Sequence, residues 1–101
     1  MTESNELAWM PAHKLREMIA NHQISPVELT QVSLDRIDKF NGQLNAFLTI
    51  IPEKALESAR DAERDLMSGK KLGPLHGIPT SIKDLEPMAG IRFTSGSPIY
   101  K

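Results

Sequence analysis

The sequence predicts an α/β chain, because two short apolar runs rich in β-branched residues alternate with stretches whose apolar residues recur at helical spacing. Residues 45–51 are too continuously apolar for a half-exposed strand, so they read as a buried one, stopped by Pro52. Residues 78–83 read as a second strand. A helix between two such strands suggests a βαβ-like unit. Two strands cannot form the interior of a sheet that is covered on both faces, so the fold is expected to be incomplete as given.

Each helix has its own evidence. From His13 to about His22, Leu15, Met18 and Ile19 fall on one face, and a short amphipathic helix is expected. Ser25-Pro26-Val27-Glu28 is a strong helix start: Ser25 caps, Pro26 suits the first helical position, and Glu28 can bond back to the cap residue's amide. Leu29, Val32, Ile37 and Phe40 form the buried face of this second helix, with Asp35, Arg36, Asp38 and Lys39 mostly toward water. Gly42 is expected to end it in a left-handed conformation. From Pro52 to Ser68 the narrow stripe of Ala55, Ala59, Ala62 and Leu66 predicts a third helix closed by Gly69, with Glu57/Arg60 and Asp61/Arg64 spaced as pairs. Lys70 to Pro74 is a surface turn, and residues 84–101 are mostly loop.

At 101 residues, with 40% hydrophobic and 25% charged residues, the composition is that of one globular domain. Topology asks for more chain and outweighs it, because unpaired edges on buried strands are a specific deficit. A formal net charge of −1 offers no field to gather phosphate backbones or anionic lipid, so neither direct nucleic-acid binding nor a membrane partner is expected. There is no cysteine, which removes disulfide and thiolate metal sites. The polar, acidic start Met1-Thr2-Glu3-Ser4-Asn5-Glu6 is unlike a signal peptide, and no stretch approaches the roughly 18 apolar residues of a membrane span. A cytoplasmic location is expected.

The most informative residue is Lys83, in the run Gly77-Ile78-Pro79-Thr80-Ser81-Ile82-Lys83-Asp84. A lysine that a site takes out of water holds its proton less tightly, and the neutral amine is a general base near pH 7. The bland alternative is a strand-end lysine whose stem packs on Ile82 and Leu85 while its ammonium reaches water.

The surroundings decide between these readings. Leu75-His76-Gly77-Ile78-Pro79 leads into the run, and Ala89-Gly90 and Thr94-Ser95-Gly96-Ser97 follow it. The whole stretch from Gly73 to Ser97 closely resembles the amidase signature family, and Ile24-Ser25-Pro26-Val27-Glu28 and Leu44-Asn45-Ala46-Phe47 extend the likeness upstream. The resemblance implies that Lys83 is catalytic, the last member of a Ser-cis-Ser-Lys triad in which neutral lysine activates a serine nucleophile through a bridging serine. It implies a mixed sheet of which this chain holds the amino-terminal helices and first strands, with both serines and the oxyanion hole beyond Lys101. The chain is then an amino-terminal fragment: a flexible lead over about 1–11, helices and first strand over 12–69, and the catalytic-lysine strand and following loop over 70–101. A small-molecule amide substrate, no cofactor and a possible homo-oligomer follow. The 101-residue chain alone is expected to be inactive.

Other residues carry less. Ser81 shares a strand face with Lys83, and a local Ser-Lys dyad is the rival reading. The resemblance implies that neither reacting serine comes from the position of Ser81, and a strand serine lacks a nearby oxyanion donor pair, so Ser81 is assigned to scaffold. Asp84 points to the opposite face and is expected to support the loop or bond backbone amides. Gly77 and Pro79 shape the approach to the strand, Gly90 and Gly96 let the loop turn, and Thr94, Ser95 and Ser97 are assigned to loop structure. His13, His22 and His76 are too scattered for a metal site, and His76 reads as a packed or hydrogen-bonded turn residue. The methionines and Trp9 read as packing. Two further functions stay open: the amidase-type component of a tRNA-dependent amidotransferase, and a non-catalytic helical binding module.

Overall fold

The computed structural model describes residues 4–84, 86–92, 94, 95 and 99. Among these residues four α-helices follow one another: α1 (Ser4–Trp9), α2 (Ala12–Ala20), α3 (Pro26–Leu44) and α4 (Pro52–Met67). α2 buries Leu15 and Ile19, the residues its spacing singled out. α3 starts as its sequence dictates, with Ser25 in extended conformation, its Oγ accepting the Glu28 N–H at 2.9 Å, and Pro26 in the first turn. α4 turns Ala59 inward, and its last turn ends on Ser68 before Gly69 at φ 77°. α3 is the central post, packing against both α1 and α4. The core is Leu7, Leu15, Ile19, Ile24 and Leu29, with Met10, Met18, Val32, Leu66 and Ile78 packed around it.

The architecture is helical, which corrects the α/β expectation: no strand and no sheet occur among the described residues. At the centre of residues 45–51 both backbone polar groups of Phe47 are satisfied locally rather than by a strand. Asn41 in α3 reaches forward, its Oδ1 accepting the Phe47 N–H at 2.9 Å and its Nδ2 donating to the Phe47 carbonyl at 3.0 Å. A side-chain amide has taken the two groups that a ladder would have used. Residues 78–83 fail at both ends, since the Ile78 N–H is committed to a turn with the Leu75 carbonyl and the Lys83 carbonyl to a turn with the Glu86 N–H. Pro79 has no N–H to give.

One helix end and one additional helix also differ from expectation. α3 runs through Gly42 to Leu44, and the left-handed residue is Asn45 at φ 52°, with its N–H on the Asn41 carbonyl at 2.7 Å. Asparagine tolerates this conformation, and the later end is the one that lets Asn41 clamp Phe47. No element was expected before residue 12, yet α1 forms there and buries Leu7. The exposed Trp9 ring and the Phe40 ring both take the Arg36 guanidinium, at 5.6 and 5.2 Å from their centroids.

The radius of gyration is 14.9 Å, against about 13 Å for a compact domain of this length. The shape is elongated, 46 × 28 × 21 Å along its principal axes, and apolar side chains are exposed beside an open cleft: Leu48 is 63% and Ile82 51% exposed.

Removing the cap tests this account of α3. Ser25→Ala is expected to lower stability by about 1 kcal/mol. Urea unfolding of the 101-residue chain followed by far-ultraviolet circular dichroism measures it, and an unchanged midpoint would show that the Ser25 bond does not hold the helix start.

Candidate functional site

The lysine-bearing segment is positioned from the turn that precedes it. In that turn His76 Nε2 donates to the Ala62 carbonyl in α4 at 2.8 Å, and Arg16 of α2 donates from Nε to the Gly73 carbonyl at 3.0 Å. Gly77 adopts φ +80°, and a β-carbon there would lie 3.0 Å from Pro26 Cγ and 3.1 Å from Ile19 Cδ1. Three helices therefore grip residues 73–77, and only glycine meets both the backbone angle and the space. His76 is the hydrogen-bonded turn residue its position suggested.

Beyond this anchor the chain runs along an open cleft of about 1060 Å³, between α3, α4, residues 46–51 and the described part of residues 77–92. Lys83 and Ser81 both line it and both are exposed. The lining is mainly apolar, including Ile37, Phe47, Ile50, Ile78 and Ile82. Within these 101 residues Lys83 is not taken out of water.

Asp84 behaves as a loop-supporting residue. Its Oδ1 accepts the Thr94 N–H at 3.1 Å, and its Oδ2 accepts the Thr94 hydroxyl. Thr94 is buried although Arg92 and Ser95 beside it are exposed. Gly90 at φ +75° and the Ile91 N–H on the Met88 carbonyl at 3.1 Å turn the loop between them. Gly96 and Ser97 lie outside the described residues. His13 and His22 are exposed on α2 and just after it, and no group of three His, Cys, Asp or Glu able to hold a metal occurs among the described residues. Among the same residues no helix is long and apolar enough to cross a membrane. Nothing in the sequence flagged Arg16 as an anchor, since its partner is a backbone carbonyl 57 residues away.

Comparison with known proteins places this geometry in context. A family model described as Amidase matches residues 28–101, a span containing α4, the anchor turn, Lys83 and Thr94. The chain belongs to the amidase family. Among similar amidase-family proteins, a glutamyl-tRNA(Gln) amidotransferase subunit of Geobacter sp. (strain M21) is 40% identical over 96 residues, covering 95% of this chain and 20% of its own length. The corresponding protein of Cutibacterium acnes is 43% identical over 97 residues, 96% of this chain and 19% of its own length. An acylamidase of Rhodococcus erythropolis is 36% identical over 96 residues, again 95% of this chain and 20% of its own length. The chain thus spans about a fifth of the length of these amidase relatives. No solved structure matches it significantly.

The anchor makes a definite demand on residue 77. Gly77→Ala is expected to cost about 1–3 kcal/mol, from left-handed backbone strain together with the contacts on Pro26 and Ile19. Chemical denaturation of the chain measures it, and a variant as stable as the parent would mean the turn does not dock as described.

Proposed function

We propose that the protein of which this chain forms part hydrolyses a carboxamide C–N bond, with Lys83 as the proton-relaying member of a Ser-cis-Ser-Lys triad whose two serines lie beyond residue 101. The observation that carries this reading is the placement of Lys83 on the cleft wall, six residues after the Gly77 of a turn gripped by three helices, within the matched stretch of the family.

In this reading the nucleophilic serine adds to the amide carbonyl carbon while its proton passes through the bridging serine to Lys83 Nζ. The tetrahedral intermediate collapses with cleavage of the C–N bond, and the lysine ammonium returns the proton to the departing nitrogen. Water then releases the acid from the acyl-serine, its proton following the same route. The cleft that Lys83 lines is mainly apolar, so a covered site would exclude water from the transfer.

A second reading is the amidotransferase role, in which the amide is glutamine and the ammonia passes to a partner protein. The glutamyl-tRNA(Gln) amidotransferase names of the 40% and 43% identical relatives favour it, whereas the 36% identical acylamidase favours direct hydrolysis of a simple amide.

The test uses the polypeptide the gene encodes in full, assayed for ammonia release from glutamine and from a panel of aliphatic and aromatic amides. Lys83→Ala is expected to lose at least about a hundredfold in turnover, the scale of general acid–base catalysis. Lys83→Arg should fail equally, because a guanidinium does not give up its proton near neutral pH. Ser81→Ala should retain most of the activity. Near-parental turnover by either lysine variant would defeat the assignment, and selective loss in Ser81→Ala would revive the local dyad.

A further inference from the structure

Lys83 is carried neither by a helix nor by a strand, so its position depends on whatever fixes the loop around it. Two features do so. The Lys83 carbonyl accepts the Glu86 N–H at 2.9 Å, closing a tight turn immediately after the lysine. The next residue, Asp84, takes both polar groups of Thr94, the backbone N–H at 3.1 Å through Oδ1 and the hydroxyl through Oδ2. One carboxylate thereby joins two points ten positions apart in the chain, and Thr94 is buried where they meet, at 8% exposure. Hydrogen bonds to a charged acceptor are stronger than neutral ones, and a two-point grip fixes orientation as well as distance.

We propose that Asp84 and Thr94 form a latch that positions Lys83 for proton transfer, with neither residue touching the reacting atoms. The proposal rests on the reading of Lys83 as the proton relay. Opening the latch leaves the lysine present but loosely placed, and a displacement of about 1 Å at a reacting group costs on the order of a hundredfold in rate. Because Thr94 is buried and, unlike Asp84, does not line the cleft, its loss falls on kcat and leaves KM nearly unchanged.

The full-length protein tests this with four variants assayed together on the amide it turns over fastest. Thr94→Val keeps the N–H and the side-chain shape but removes the hydroxyl donor, and kcat is expected to fall about tenfold to a hundredfold, with KM within about threefold and the melting temperature little changed. Thr94→Ser restores the hydroxyl and should recover most of kcat. Asp84→Ala removes both bonds and should fall further, and the Asp84→Ala/Thr94→Val double variant should be no worse than Asp84→Ala alone, because both changes break one coupled unit. A parental kcat in Thr94→Val, failure of serine to rescue, multiplicative losses in the double variant, or a loss that tracks melting would each overturn the latch. Lys83→Ala in the same assay separates the two hypotheses: if it retains turnover, the relay reading falls and the latch with it. If it abolishes turnover while Thr94→Val does not lower kcat, the latch alone falls.

Discussion

The fold depends on the close approach of Gly77 to Ile19 and Pro26. Ile19 and Pro26 are both fully buried, and a β-carbon at residue 77 would come within 3.1 Å of each. That contact is where α2, the start of α3 and the turn before the lysine segment share one volume. Interiors packed to this density transmit displacement, so the start of the segment that carries Lys83 is positioned by side chains that lie far from it in sequence. Arg16 and His76 hold the same turn from either side, each by donating to a backbone carbonyl, that of Gly73 and that of Ala62.

Helical scaffold and loop divide the work in the usual way, with packing in the helices and chemistry on the connection they position. The small core, Leu7, Leu15, Ile19, Ile24 and Leu29, lies at the α1–α3 side, while the α4 side opens into the cleft. Apolar groups that a single compact domain would cover are thus gathered where Lys83 and Ser81 also stand. A patch of that kind points to contact with something else.

The helices were legible because their signals are local. Ser25, Pro26 and Glu28 specify a helix start regardless of what surrounds them, and the spacing of Leu15, Met18 and Ile19 fixes a buried face. The strand reading failed because apolar, β-branched composition reports that a segment seeks a neighbour, without saying whether one is present. At residues 45–51 the neighbour turned out to be the Asn41 amide, a polar side chain that composition could not reveal. α1 escaped notice because a six-residue helix with Leu7 as its buried anchor has no repeat to detect. In the candidate site Lys83 stood out by its chemistry and Asp84 by its adjacency, whereas the partner of each anchor, Ala62 for His76 and Gly73 for Arg16, is a backbone group with no sequence signature.

The Asn41 clamp also bears on how this protein ages. Asn41 precedes Gly42, and an asparagine followed by glycine is the pair most prone to cyclise, the next backbone nitrogen attacking the side-chain carbonyl carbon with release of ammonia. Here Gly42 lies within α3 and the Asn41 amide is held at both ends by Phe47, so the nitrogen and the carbon it would attack are kept in separate bonds. Fraying of the last turn of α3 removes that protection. The carboxylate that results can still accept the Phe47 N–H but sets an acceptor against the Phe47 carbonyl, so the clamp closes again with only one of its two bonds.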